Sequence, residues 1–535
     1  MQNKALRQWG IILCLTFLTL TMVQAELAPG YFNVQNYGAV ADGVTLNTEA
    51  IKKAIDAAVE IGGGTVYFPA GEYLTGPVHL KSHITIFIDA GAILKFSRNF
   101  DDYLPMVESR WEGTVGMNFS PLFYAYQVEN IAICGRGTID GQGDEWWEFY
   151  RKLRAEKKKY GEIRTQSKWQ KMHRELNRDI LAPDNWNWNE SNFLRPPFIQ
   201  FFECNNIMIE GISIQNSPFW TINPVFCDNV TINGVTIVNP PESYNTDGIN
   251  PSSCTNVHIA NCHISVGDDC ITLKSGRDDD GRQFGRPTEN VTITNCTMLN
   301  GHGGVVIGSE MSGDIRKVTI SNCVFNGTDR GIRIKSMRGR GGIVEEIRVS
   351  NIVMKNIRYE AITLNMFYQE TPDEPVSDRT PRFRNIHLSD ITVSQARSAG
   401  MLLGLEEMPI DNVTFSSINI EAEDGFLIKN AKNIEFHDVV INAMKGPALS
   451  GENITNLEIE GVKTCALHDN VPVIELKNNQ NVFIRGANPL PGTTKYLMVT
   501  GSASKAIVLV GNNFRFVKTP VTKSSDVPAD AVSVE

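Results

Sequence analysis

From Asn130 onward one short pattern keeps returning: Asn, apolar, any residue, apolar, two residues that often include Gly, Asn or Asp, then apolar, any, apolar. It reads Asn206-Ile207-Met208-Ile209 followed by Gly211-Ile212-Ser213-Ile214. It starts again at Asn229, Asn256, Asn290, Lys317, Glu346, Asn385, Asn412, Asn433 and Asn456, with a partial copy at Asn481. From Asn206 on, successive starts are 21 to 39 residues apart. Alternation at period two means short strands with one face buried, and the small polar residue in mid-pattern means a bend. Two or three short strands per repeat of this length are the mark of a parallel β-helix. A propeller would need about four strands per repeat, and the leucine spacing of a leucine-rich repeat is absent. A chain of 535 residues would otherwise suggest several domains, but a solenoid grows by stacking.

The rest of the chain divides around that repeat. Residues 1–25 read as a secretory signal: Lys4 and Arg7, an apolar run from Ile11 to Met22, then Val23-Gln24-Ala25 as the cleavage end. Residues 26–100 read as an N-terminal cap and first coils, with a capping helix from Thr48 to Ile61 started by Asn47 or Thr48, and strands at Thr65–Phe68 and Ile84–Ile88. Residues 101–490 read as the solenoid itself, and 491–535 as a C-terminal cap and tail. Residues 144–197 break the period and carry Trp146, Trp147, Trp169, Trp186 and Trp188 on helical patterning. This insertion is either a packing cap over the solenoid's side or a wall of a substrate cleft. Cys204, Cys227 and Cys254 each lie two residues before a repeat start. Cys262, Cys296 and Cys323 each lie six after one. Such columns imply buried, stacked thiols. The Asn-Val-Thr triplets at Asn229, Asn290 and Asn412 fall in the repeat's Asn column, which favours a turn ladder over glycosylation acceptors. The formal charge of -10 argues against nucleic acid as a partner. After removal of the signal no stretch is left to span a bilayer, so a secreted or periplasmic protein, monomeric and without cofactor or metal, is expected.

The chemistry concentrates between Asn245 and Lys335. Aligning Gly248, Cys270, Gly304, Gly331 and Ala361 as the opening of one strand in successive coils puts Asp247 and Asp269 in one column. Asp268, His302 and Tyr359 then share the column before it. Arg333 and Lys335 alternate with Ile332 and Ile334 and therefore point away from the core; Lys274 takes the position equivalent to Lys335. One outer face thus gathers three acids, a His, a Tyr and fixed cations. Glycoside hydrolysis needs one protonated carboxyl and a second carboxylate, and crowded carboxylates separate each other's pKa values to provide them. The cations would hold an anionic substituent. Arg277, Arg282, Arg286, Arg338 and Arg340 could extend a basic floor. The triplet Asp278-Asp279-Asp280 is read as a solvated loop in preference to a calcium site.

Asn245-Thr246-Asp247-Gly248, Gly267-Asp268-Asp269, Gly301-His302-Gly303 and Arg333-Ile334-Lys335 together resemble the motifs of the polygalacturonases, the pectin-degrading glycoside hydrolases of family 28. Tyr359 within Asn356-Ile357-Arg358-Tyr359, the stretch Ser217-Pro218-Phe219-Trp220 and the opening Tyr37-Gly38-Ala39 with Asp42-Gly43 fit the same family. The resemblance spans about residues 31–490. It implies a right-handed, single-stranded, pectin-lyase-like β-helix that cleaves α-1,4 bonds between galacturonates in a pectin-type polyuronide with inversion, by exo or endo action. It implies Asp268 as general acid, Asp247 and Asp269 as the carboxylates that activate water, and His302 as the residue that tunes the acid. Arg333 and Lys335 would bind a galacturonate carboxylate on the leaving-group side, with Tyr359, Asn245 and Lys274 also lining the substrate site. The competing readings are a calcium-dependent pectate lyase and a non-catalytic polysaccharide-binding β-helix.

Overall fold

The computed structural model describes residues 30–164, 166–181, 194–465 and 471–535. The signal segment, Trp186 and Trp188 lie outside these residues. The repeat folds as its periodicity requires. Strands Asn205–Glu210, Asp228–Asn233, Thr255–Ala260 and Thr288–Thr294 stack in parallel, one per coil, with Ile207, Val230, Val257 and Val291 in register. A second parallel stack holds Ser213–Gln215, Thr236–Val238 and His263–Ser265. The inward positions of both stacks are almost fully buried, and each such aliphatic side chain stabilises the fold by about 1.5–3 kcal/mol.

The repeat's Asn has a backbone reason. Asn206, Asn229, Asn256 and Asn290 all adopt left-handed φ values of 56° or 57°, a region that Asn tolerates far better than most residues. Their side-chain amides also bond from coil to coil: Asn229 Nδ2 donates to Asn206 Oδ1 at 3.2 Å, and Asn256 and Asn290 each donate to the preceding Asn at 3.1 Å. The ladder accounts for Asn229 and Asn290 without glycosylation. The cysteines of both columns are buried and unbridged, and their thiols donate to neighbouring carbonyls, as Cys227 does to Phe201 at 3.1 Å.

A third stack positions the chemistry. Its register runs Val78, Phe123, Ile199, Ile222, Ile249, Ile271, Val305, Ile332, Ile362, Gly400 and Phe426. The alignment built on Gly248, Cys270, Gly304, Gly331 and Ala361 is therefore the true one. Gly400 interrupts the aliphatic column because a Cβ there would run into the Phe426 ring.

Both ends and the flank depart from the sequence reading in detail. The helix Thr48–Glu60 buries Ile51, Ala54, Ile55 and Ala58 over the first coils. Asn47 precedes it, but its side chain makes no helix cap. It ties Val40 and Leu74 together instead, accepting from Val40 N at 2.7 Å and donating to Leu74 O at 3.2 Å. Residues 491–535 are not a loose tail: Leu497 pairs with Ile474 and Val521, and Ile507 with Val482 and Val532, so coils continue to the C-terminus. The insertion carries helices Asp144–Tyr160 and Lys168–Leu176. Trp146 is wholly buried among Phe100, Tyr103 and Phe119, with ring centroids 4.0–5.4 Å away. That indole is a packing cap. Among the described residues no helix is long and apolar enough to cross a membrane.

Candidate active site

The strand Asp269–Leu273 pairs with Gly303–Gly308, which pairs with Ile332–Lys335. Asp269 lies opposite Gly303, so Asp268 stands opposite His302 on the adjoining coil. Asp247, one coil earlier, comes in just before the bridge between Ile249 and Ile271. One carboxylate oxygen from each of Asp247, Asp268 and Asp269 lies within 4.8 Å of the others. The glycines of the motif leave space for this: a Cβ at Gly303 would crowd Asp269 and Val306, and one at Gly248 would meet the Cys270 carbonyl.

The three acids differ in surroundings. The Asp269 side chain is 1% exposed, and its Oδ2 accepts from Lys335 Nζ at 2.7 Å, with Arg333 Nη1 3.6 Å from Oδ1. Burial works to raise its pKa, but Lys335, Arg333 and Lys274 outweigh burial and bring it down to about 2. The Asp247 side chain is 4% exposed and accepts from Asn250 Nδ2 at 2.8 Å. Burial pushes its carboxyl well above the usual range, and the charges of Asp268 and Asp269 push it further than Lys274, 4.0 Å away, can offset. Asp268 is the most open of the three, at 17%, and its Oδ1 faces His302 Nδ1 at 3.0 Å. That bond, against an opposing effect of burial, raises the His302 pKa to about 9. The cations thus hold Asp269 ionised, burial biases Asp247 toward its protonated form, and the contact with Asp268 biases His302 toward the imidazolium. The triad is also tight enough for a cation, yet the two ammonium groups and Arg333 already supply the positive charge.

His302 titrates higher in the folded protein than the usual imidazole value of 6.5, so its contribution to stability is complete below about pH 6.5 and lost as pH rises through about 9. The ring is half exposed, which screens the effect. Thermal midpoints between pH 6 and 10 should fall on the alkaline side, and His302→Gln should flatten that limb.

Around the acids lies a cleft of about 160 Å³ whose lining includes Asp247, Asp268, Asp269, Asn245, Lys274 and Lys335. Asn245 is fixed by the buried Arg195, which donates to its Oδ1 at 2.7 Å. Lys274 is a buried strut: its ammonium donates to Glu310 at 2.7 Å and sits 4.5 Å from the centroid of Trp220. Tyr359 does not border this cleft. It lies in a neighbouring hollow on the same face, under Arg330. Of the other basic residues, Arg277 and Arg340 reach the cleft, whereas Arg338 pairs with Glu407 and Asp373, and Arg286 with Asp228. Asp278–Phe284 is a helix and not a loop. Asp278 pairs with Arg340, Asp279 with Arg282 and Asp280 with Arg110.

Several cleft residues were invisible to the repeat. Glu112 arrives on the tight antiparallel hairpin Val107–Trp111 and Thr114–Asn118, which follows no coil register. Tyr150 comes from the insertion helix, so that helix both caps the solenoid and walls the cleft. Tyr368, whose ring lies 5.3 Å from Lys335 Nζ, sits on an irregular loop. Glu310 follows a strand end, and only its pairing with Lys274 reveals it.

A parallel β-helix with acids and cations clustered on one outer sheet has the groups that a carbohydrate-active enzyme needs. Comparison with known proteins makes the class specific. The model of the glycosyl hydrolases family 28 matches residues 184–440, and one described as rhamnogalacturonase A/epimerase, pectate lyase-like, matches residues 31–157. A protein named "Probable polygalacturonase" of Vitis vinifera is 32% identical over 396 residues, covering 72% of this chain and 73% of the relative. An endo-polygalacturonase of Pectobacterium carotovorum is 29% identical, covering 72% and 86%. The crystal structure of an exopolygalacturonase from Thermotoga maritima superposes with a TM-score of 0.69 at 33% identity, covering 77% of this chain and 92% of that one. The chain belongs to glycosyl hydrolases family 28.

Proposed function

We propose that the protein hydrolyses α-1,4-galacturonosyl bonds of polygalacturonate from the chain end. The observation that carries this reading is the meeting of Asp247, Asp268 and Asp269 within 4.8 Å beside Lys335 and Arg333. Asp268, the most exposed acid, is the one able to reach a glycosidic oxygen. As general acid it delivers a proton to that oxygen, and the C1–O bond breaks. His302, as imidazolium, stabilises the Asp268 carboxylate left behind. Water attacks C1 and its proton passes to Asp247 or Asp269, whichever stands there as the carboxylate, so the cluster regains the proton that Asp268 gave. Asp269 is sequestered by its cations and is ill placed to attack the sugar itself, which supports inversion. Proton NMR of the first-formed product reads the anomer; retention of configuration would sink the direct water attack.

The chain-end preference rests on the walls. Glu112 and Tyr150, from two elements that lie before the catalytic coils, close the cleft on that side. Toward the later coils the outer sheet runs on past the cleft through Ile332, Ile362 and Gly400. Polygalacturonic acid should yield the smallest product from the first minute while viscosity falls slowly. A ladder of oligomers would instead mean internal cleavage, and ultraviolet-absorbing unsaturated products lost with chelator would mean a lyase. The enzyme works outside the cytoplasm as a monomer once residues 1–25 are removed. A mature N-terminus elsewhere than after Ala25, or a dimer in sedimentation, would correct those two points.

A further inference from the structure

The column that carries the catalytic acid continues well past the cleft. Through the strand pairing, Asp268 stands opposite His302, His302 opposite Asp329, Asp329 opposite Tyr359, Tyr359 opposite Arg397, and Arg397 opposite Glu423. Four coil steps separate Asp268 from Arg397, about 19 Å at the inter-strand spacing. Arg397 is exposed, with buried Ala396 and Ala399 beside it. It borders two adjoining surface hollows of about 510 and 660 Å³.

The charges around these hollows are mostly spent. Arg330 is paired with Glu360 at 2.7 Å, Arg358 with Asp329 at 3.1 Å, and Lys445 with Glu423 at 3.2 Å. Among the described residues the Arg397 guanidinium makes no ion pair or hydrogen bond. A surface cation usually finds a carboxylate partner when one is in reach. Glu421 and Asp424 border the same hollows, and neither has been recruited. An unengaged fork donor set into a hollow suits a planar carboxylate from outside the chain.

We propose that Arg397 is a distal subsite that binds a carboxylate of the polyuronide on the leaving-group side. This rests on the reading of the site as a uronan hydrolase. A pyranose in an extended chain advances by about one coil, so Arg397 meets a sugar roughly four units past the cleaved bond. The closed end of the cleft then takes the terminal sugar, and the open sheet holds the chain behind it.

The test is the dependence of kcat/KM on chain length, from the digalacturonate to the hexagalacturonate, in the wild type and in Arg397→Ala. In the wild type the value should keep rising past the trimer. In the variant that rise should be lost, roughly ten-fold on the hexamer, with the dimer and the thermal midpoint unchanged. Arg397→Lys should keep part of the gain, and Asp424→Asn should raise binding of the hexamer. A wild type whose rate is already flat from the trimer onward overturns the subsite, as does a variant that loses equally on all lengths or on none. A protein that hydrolyses no galacturonate oligomer at all overturns the parent reading instead.

Discussion

Asp268→Asn should leave a folded β-helix that hydrolyses almost nothing. The side chain stands at the rim of the cleft and contributes two polar contacts, from the Asp269 amide at 2.9 Å and from His302 at 3.0 Å. An Asn Oδ1 can still accept from the amide, and no apolar packing is disturbed. The thermal midpoint should therefore move little. The chemistry has no such substitute, because an amide cannot deliver a proton to the leaving oxygen. General acid catalysis is worth about 10²–10⁴-fold, so kcat should fall by at least that range with KM on polygalacturonate nearly intact. Unchanged turnover would refute the assignment and point to Asp247, whose carboxyl burial already holds above the usual range. His302→Gln should do less, weakening activity while sparing the proton donor.

The site was legible in the sequence to the extent that it lies on the repeat. Asp247, Asp268, Asp269, His302, Arg333 and Lys335 occupy coil positions. Counting from the glycine-like column therefore gave their neighbours in space before any coordinates. A one-residue slip would have turned every one of them to the other face, and the alternation with Ile332 and Ile334 excluded it. Glu112, Tyr150 and Tyr368 belong to segments without a period, and nothing in their local sequence says which coil they fold over. The insertion illustrates the limit well. Its tryptophans suggested either packing or a cleft wall, and one helix does both: Trp146 is buried among aromatic rings, and Tyr150, one turn further along the same face, lines the cleft. Lys274 shows a different limit. Its position was readable, but its partner was not, and the Glu310 contact turns a presumed substrate ligand into a buried strut.

Coil position also determines how the fold and the chemistry share one ion pair. Lys335 and Asp269 sit on strands two coils apart, with the strand Gly303–Gly308 between them. The resulting contact is 2.7 Å between groups that are 8% and 1% exposed. Breaking such a pair strands a charge in a poor solvent.

Lys335→Met should accordingly destabilise the protein by about 3–5 kcal/mol, the usual cost of removing one partner of a buried pair. It should also remove most activity. With the ammonium gone, burial is opposed only by Arg333 and Lys274, so the Asp269 carboxyl must rise from about 2. The acid limb of the pH–rate profile should then move to higher pH. Asp269's contribution to stability, now lost only as pH falls through about 2, should be lost at a correspondingly higher pH. Lys335→Arg keeps the charge and should recover part of both losses. The decisive variant is Lys335→Met with Asp269→Asn. If the stranded carboxylate causes the instability, neutralising it restores much of the thermal midpoint while hydrolysis stays absent. If the two losses simply add, the ammonium stabilises the fold through other contacts, and its pairing with Asp269 serves catalysis alone.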